Sequence, residues 1–238
     1  MKIHLPHNVN VVMGHTRMTT QGNTQFNQNN HPFLGHVDGN SFALAHNGVL
    51  WNDKELRLDE NLPQTSVETD SYVAVQLLEQ QKTLDFDSLK FMAEKVEGSF
   101  VFTVLDRDNS IWFVVGDNPL YIMFYDGFLI YASTQEILCK AIKKLRLKAP
   151  AYILEPKEGE ILKIDRTGRI TTGAFMPKTS FEQREIITDK ESGKNLDCPG
   201  YQALKTAMRR TDAKRTLFYQ TLYDIDSIPN FVETSNKV

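Results

Sequence analysis

The chain has 238 residues, enough for one sizeable domain with an appendage. Its hydrophobic and charged fractions, 41% and 24%, are ordinary for a globular chain, and a net charge of -3 gives no electrostatic reason to expect nucleic acid or an anionic membrane as partner. Two cysteines, Cys139 and Cys198, make no disulfide framework, no apolar run reaches the length of a membrane span, and the start Lys2-Ile3-His4-Leu5-Pro6 lacks the apolar core of a secretory signal, so a reducing cytoplasm is the expected location.

In chain order, Asn10 to His15 reads as a buried strand of β-branched residues before Gly14. Residues 18–31 are rich in Thr, Gln, Asn and Gly and read as loop. Ser41 to His46 reads as a second strand, ended by the turn pair Asn47-Gly48. The spacing of Val73 with Leu77 and of Ala74 with Leu78 predicts a helix over 70–81, capped by Thr69 or Asp70. Phe86 to Val96 reads as a second helix with Leu89, Met92 and Val96 on one face.

The period then changes. Ser99 to Leu105, Ser110 to Val115, Leu120 to Tyr125 and Phe128 to Ala132 read as four strands in succession, joined by short antiparallel connections. Thr134 to Leu145 reads as a helix capped by Ser133 or Thr134. Short strands follow near 151–154, 160–164 and 169–175. Strands, helices, strands, helix, strands is an α+β order, with two antiparallel sheets stacked and covered by helices. Composition shifts near Met176. This places a domain over 1–176 and a polar linker with a C-terminal extension over 177–238, in which Tyr201 to Arg210 reads as a short helix.

Four segments stand in a telling order: Gly14-His15-Thr16-Arg17, Asn30-His31-Pro32-Phe33, Leu44-Ala45-His46-Asn47-Gly48 and Glu68-Thr69-Asp70. Their order and spacing resemble those of class II glutamine amidotransferase domains, such as the glutaminase domains of glucosamine-6-phosphate synthase and glutamine phosphoribosylpyrophosphate amidotransferase. Glu97-Gly98-Ser99-Phe100 and Ala132-Ser133-Thr134-Gln135 are similar to two later segments of that family. The resemblance covers roughly residues 9–175 and implies the four-layer αββα sandwich of N-terminal-nucleophile hydrolases.

It also implies a site for free L-glutamine. A guanidinium fork at Arg17 suits the α-carboxylate and a carboxylate at Asp70 suits the α-ammonium. Hydrolysis of the amide develops negative charge on its oxygen, for which the resemblance supplies the Asn47 side chain and the Gly48 N–H as an oxyanion hole. Thr20 and His31 fall where the family has further substrate-lining residues. His15, His31 and His46 lack the close pairing of zinc motifs, so no metal is expected, and no cofactor is implied. Taken singly, Arg17 also suits a surface ion pair, Asn47-Gly48 a plain turn and Asp70 a helix cap.

The family's nucleophile is a cysteine at the mature N-terminus, whereas this sequence opens Met1-Lys2-Ile3. The expectation is a domain that lacks its first strand and, as written, releases no ammonia. Cys139 reads as structural within its helix, and Cys198 has no family precedent as a nucleophile. The gap left by the strand would be covered by the C-terminal tail, a second copy, or a polypeptide carrying the missing segment. Two functions stay open: a glutaminase domain that feeds ammonia to a synthase or acceptor subunit when complete, and a non-catalytic glutamine-binding or regulatory module. The basic cluster Lys205, Arg209, Arg210, Lys214 and Arg215 reads as a solvated helix face.

Overall fold

The computed structural model describes residues 9–16, 21–23 and 25–178. Arg17, Thr20, Cys198, the helix expected over 201–210 and the basic cluster from Lys205 to Arg215 lie outside the described residues.

Nine strands form two antiparallel sheets. The larger has six strands in the order β1 (Phe33–Val37), β2 (Asn40–Leu50), β3 (Gly98–Asp106), β4 (Ile111–Val115), β8 (Glu160–Ile164) and β9 (Ile170–Ala174). The smaller has β6 (Phe128–Ala132), β5 (Tyr121–Tyr125) and β7 (Tyr152–Leu154). The helices are α1 (Asp53–Asp59), α2 (Tyr72–Gln81), α3 (Phe86–Lys95) and α4 (Gln135–Leu145).

Strand alternation puts β-branched and aromatic residues on both faces of the large sheet, so it is buried twice. One face, with Leu44, Phe102, Val114 and Ile161, packs on Val73, Leu77, Leu89 and Met92 of α2 and α3. The opposite face, with Val101, Ile111, Phe113 and Leu162, packs on Ile122 and Phe124 of the small sheet. The far side of the small sheet, where Met123 is buried, carries α4. The expected αββα sandwich is therefore present among the described residues.

Several local expectations are corrected. Residues 10–15 form no strand: alternate residues are exposed, but among the described residues no strand pairs with them. Val11 packs against the inter-sheet core and His15 Nε2 reaches the His46 carbonyl at 2.9 Å. Asn47-Gly48 is not a turn, since β2 continues through it to Leu50. The hairpin turn lies earlier, at Asp38-Gly39, between the partners Val37 and Asn40. Neither Thr69 nor Asp70 caps α2. The residue before the helix is Ser71, which makes no side-chain capping bond, and Asp70 is engaged with β2. Residues 116–119 join the two sheets rather than adjacent strands. The expected cap of α4 is present: Thr134 accepts from the Ile137 N–H.

Candidate active site

The site is built on a mismatch of strand lengths. β2 has eleven residues and β1 only five, so β1 pairs with β2 from Asn40 to Leu44 and stops. From Ala45 to Leu50, β2 keeps β3 on one side and, among the described residues, has an open edge on the other. Backbone groups alternate along an antiparallel strand, so His46, Gly48 and Leu50 direct theirs to that edge while Asn47 and Val49 pair with β3. The far side of Phe100, the residue opposite Gly48, agrees: its N–H goes to Asp117 Oδ1 at 3.2 Å and its carbonyl accepts from Gly116 at 2.9 Å, both away from β2.

Two of the three edge positions are occupied. The His46 carbonyl accepts from His15 Nε2, and the Leu50 N–H donates to Asp70 Oδ2 at 2.7 Å. Between them lies the Gly48 N–H. Its direction is set by the peptide it belongs to. The Asn47 carbonyl of the same trans peptide accepts from Asn118 Nδ2 at 2.8 Å on the β3 side, so the N–H faces the open edge. A side chain is impossible at Gly48. Its φ is +144°, and a Cβ there would lie 1.8 Å from the Ser99 carbonyl oxygen. The neighbouring Asn47 carboxamide is exposed and makes no hydrogen bond among the described residues.

Asp70 is only 3% exposed, and among the described residues its carboxylate takes one short hydrogen bond, from the Leu50 N–H. A carboxylate has about four acceptor positions, so most of its capacity is unfilled. Ser71 Oγ stands 3.5 Å from Asp70 Oδ1 and 2.8 Å from His46 Nδ1. His46 decides between them. Its Nε2 lies 3.3 Å from the Ser99 carbonyl, which can only accept, so Nε2 carries the proton. Burial is the main reason that its pKa falls to about 4, with a smaller contribution from His15, against the opposing Ser99 hydrogen bond. Nδ1 of the neutral ring is therefore an acceptor, and the single Ser71 proton goes to it rather than to Asp70.

The segments around this centre are tied down by asparagines. Asn29, fully buried, gives Nδ2 to Glu68 Oε2 at 2.8 Å and takes the Glu68 N–H on Oδ1 at 2.9 Å, which joins the 21–30 loop to the approach of Asp70. Asn52 gives Nδ2 to the Lys95 carbonyl and takes the Glu97 N–H, both at 2.9 Å, which fixes the end of β2 to the α3–β3 junction. The His31 ring lies between those of His15 (4.3 Å) and Phe33 (4.5 Å), tilted to both, with the His46 ring 6.4 Å away.

Of the residues singled out in the sequence, His31, Asn47, Gly48 and Asp70 thus meet around the open end of β2, while Arg17 and Thr20 lie outside the described residues. No group of three or more metal-ligating side chains occurs among the described residues. Sequence reasoning passed over Ser71, Asn118, Asn29 and Asn52, polar residues in loops or at element ends. Ser71, next to Asp70, and Asn52, at the end of the stretch that begins at His46, adjoin recognised segments; Asn29 and Asn118 carried no comparable signal.

Residues 15–140 match the family described as the glutamine amidotransferase domain, more than half of the chain. The chain belongs to that family. The glutamine--fructose-6-phosphate aminotransferase (isomerizing) of Sulfurisphaera tokodaii is 34% identical over 170 residues, which are 65% of this chain and 28% of that protein. The amidophosphoribosyltransferase of Methanothermobacter thermautotrophicus is 30% identical over 165 residues, 66% of this chain and 33% of that one. Among solved structures, the glutamine phosphoribosylpyrophosphate amidotransferase of B. subtilis, complexed with ADP and GMP, gives a TM-score of 0.56 at 22% identity over 68% of this chain and 34% of that chain. This last likeness shows the fold alone. The chain spans about a third of the length of the curated relatives it matches. Among the described residues, no helix of this amidotransferase domain is long and apolar enough to cross a membrane.

Proposed function

We propose that the open end of β2 holds free L-glutamine for hydrolysis to glutamate and ammonia. The observation that carries this is a buried, under-coordinated carboxylate, Asp70, one strand-end away from two hydrogen-bond donors that no described group engages, the Asn47 carboxamide and the Gly48 N–H. A buried carboxylate with spare acceptor positions favours a cation, and the α-ammonium of an amino acid supplies one. The two donors suit an amide oxygen that gains charge as its carbon is attacked. Arg17 is assigned to the α-carboxylate; Thr20 and His31 are assigned to the wall of the site.

The attacking group would be a thiolate, with ammonia leaving and water clearing a thioester. Cys139, the one cysteine among the described residues, is exposed on α4, in the layer beyond the small sheet, and has no place in this cluster. Ammonia would pass to an acceptor centre on a synthase domain or subunit, as the names of the relatives suggest, in a reducing cytoplasm. The domain itself would close near residue 176, where Phe175 completes the core after β9.

Calorimetry with L-glutamine on the full chain tests the binding. Asp70→Asn, which keeps the shape and removes the charge, is expected to weaken it at least about tenfold. Unchanged affinity in that variant, or no binding by the native chain, would overturn the assignment. An ammonia-release assay separates hydrolysis from a regulatory module: turnover lost in Asn47→Ala supports the first, and binding without turnover supports the second.

A further inference from the structure

We infer that Asn118 is a positioning residue that aims the oxyanion-binding peptide, and that it sets how well the site recognises the side-chain oxygen of its ligand; this rests on the glutamine reading above. Asn118 lies 71 residues from Asn47 in sequence, in the segment that carries the chain from one sheet to the other.

That segment closes the end of the large sheet through three consecutive residues. Gly116 donates to the Phe100 carbonyl, Asp117 accepts from the Phe100 N–H, and Asn118 donates to the Asn47 carbonyl. The first two hold β3. The third reaches across β3 to β2 and takes hold of the single peptide whose opposite side is the Gly48 N–H.

A peptide is a rigid plane, so fixing its carbonyl fixes its N–H. At most positions a side chain and a regular ladder would restrict that plane. At Gly48 there is no side chain, φ is +144°, and among the described residues no strand lies along the open edge. The plane is therefore held from its carbonyl end, where Asn47 faces Val101 of β3 and Asn118 adds a second, side-chain restraint. An amide side chain is the right tool. It donates to a carbonyl, carries no charge toward the ligand, and packs against Gly48, where a Cβ would come within 2.8 Å of its Nδ2.

The role is confined to the ligand's side-chain oxygen. The carboxylate and ammonium of the ligand are held elsewhere, at Arg17 and Asp70 in the proposed arrangement. A misaimed peptide should therefore weaken glutamine but not an amino acid of the same carbon length without the amide.

The test is a comparison of L-glutamine and L-norvaline binding by calorimetry to the full chain, in the native protein, Asn118→Ala and Asn118→Asp. The aspartate keeps the shape but has no N–H to give. Both variants are expected to lose roughly tenfold in glutamine affinity and to bind norvaline as the native chain does. Equal losses for the two ligands would mark Asn118 as merely structural, and no loss for either would leave it without a role; both results overturn the inference. Ligand-free NMR reads the restraint itself, through a shift of the Gly48 amide resonance in Asn118→Asp. An unmoved resonance contradicts the pinning even if native glutamine binding fails, a failure that would instead remove the glutamine reading.

Discussion

His46 sits between Ser71 and the Ser99 carbonyl with 2% of its surface exposed, and it turns the local geometry into a pH dependence. Its folded pKa of about 4 lies below the ordinary 6.5. The unfolded chain therefore takes up a proton first as pH falls. The contribution of this residue is fully present above pH 6.5, is lost progressively as pH falls toward 4, and then levels off. The shift corresponds to about 3 kcal/mol. Urea unfolding at pH 7, 5.5 and 4.5 should show His46→Gln less stable than the native chain at pH 7 but with a shallower loss on acidification. Carboxylates held low by hydrogen bonds, such as Asp85 and Asp165, destabilise both proteins in acid, so the difference between the two slopes is the readout. Parallel slopes would contradict the buried neutral imidazole. Glycines provide a second contrast. Gly48→Ala places a methyl on the Ser99 carbonyl at a positive φ and should cost at least about 2 kcal/mol. Gly14→Ala has open space and no positive φ, and should change stability by less than about 0.5 kcal/mol in the same denaturation series.

At the scale of elements, most helices and strands were legible and two, β1 and α1, were not. α2 and α3 stand within two residues of the expected bounds, because Val73, Leu77, Leu89 and Met92 repeat at helical spacing and are all fully buried. The strands from Gly98 onward were likewise readable, since they are rich in β-branched and aromatic residues and several are bounded by turn residues, as Ile111–Val115 and Phe128–Ala132 are. β1 and α1 were missed. β1 has Gly35 and His36 interrupting its apolar run, although Asp38-Gly39 was a usable hairpin signal; α1 is a seven-residue helix, too short for a period to show. The Asn47-Gly48 pair misled for a physical reason. Both members of a turn pair tolerate positive φ, but here that freedom lets the Ser99 carbonyl approach within a strand, and the pair Gly98 and Leu50 repeats the device one step on, where a Cβ on Gly98 would meet the Val49 carbonyl at 2.2 Å. Local sequence records that a glycine is needed and leaves open which close approach needs it. Asp70 was recognised as a site residue for its charge. That it also ties the approach of α2 to β2 depends on a contact twenty residues away, which no local pattern encodes.

For the molecule as a whole, the four layers follow from the doubly buried large sheet, and the functional end follows from the strand that outruns its neighbour. The ordered segments that resemble class II glutamine amidotransferases map onto this one end: His31 and Phe33 beside β2, His46 to Gly48 on it, and Glu68 to Asp70 against it. Family and fold were thus readable from motif order. The supporting polar residues were not, because Asn29, Asn52 and Asn118 act through backbone groups far away in the chain, and any loop may contain an asparagine. The central claim, that this end embraces one free amino acid, is tested most directly by a crystal structure of the full chain grown with L-glutamine. The account predicts the ligand ammonium in hydrogen-bond contact with Asp70 Oδ1 and the side-chain oxygen at the Gly48 N–H and the Asn47 carboxamide. Glutamine bound elsewhere, with Asp70 and the Gly48 N–H untouched, would contradict it.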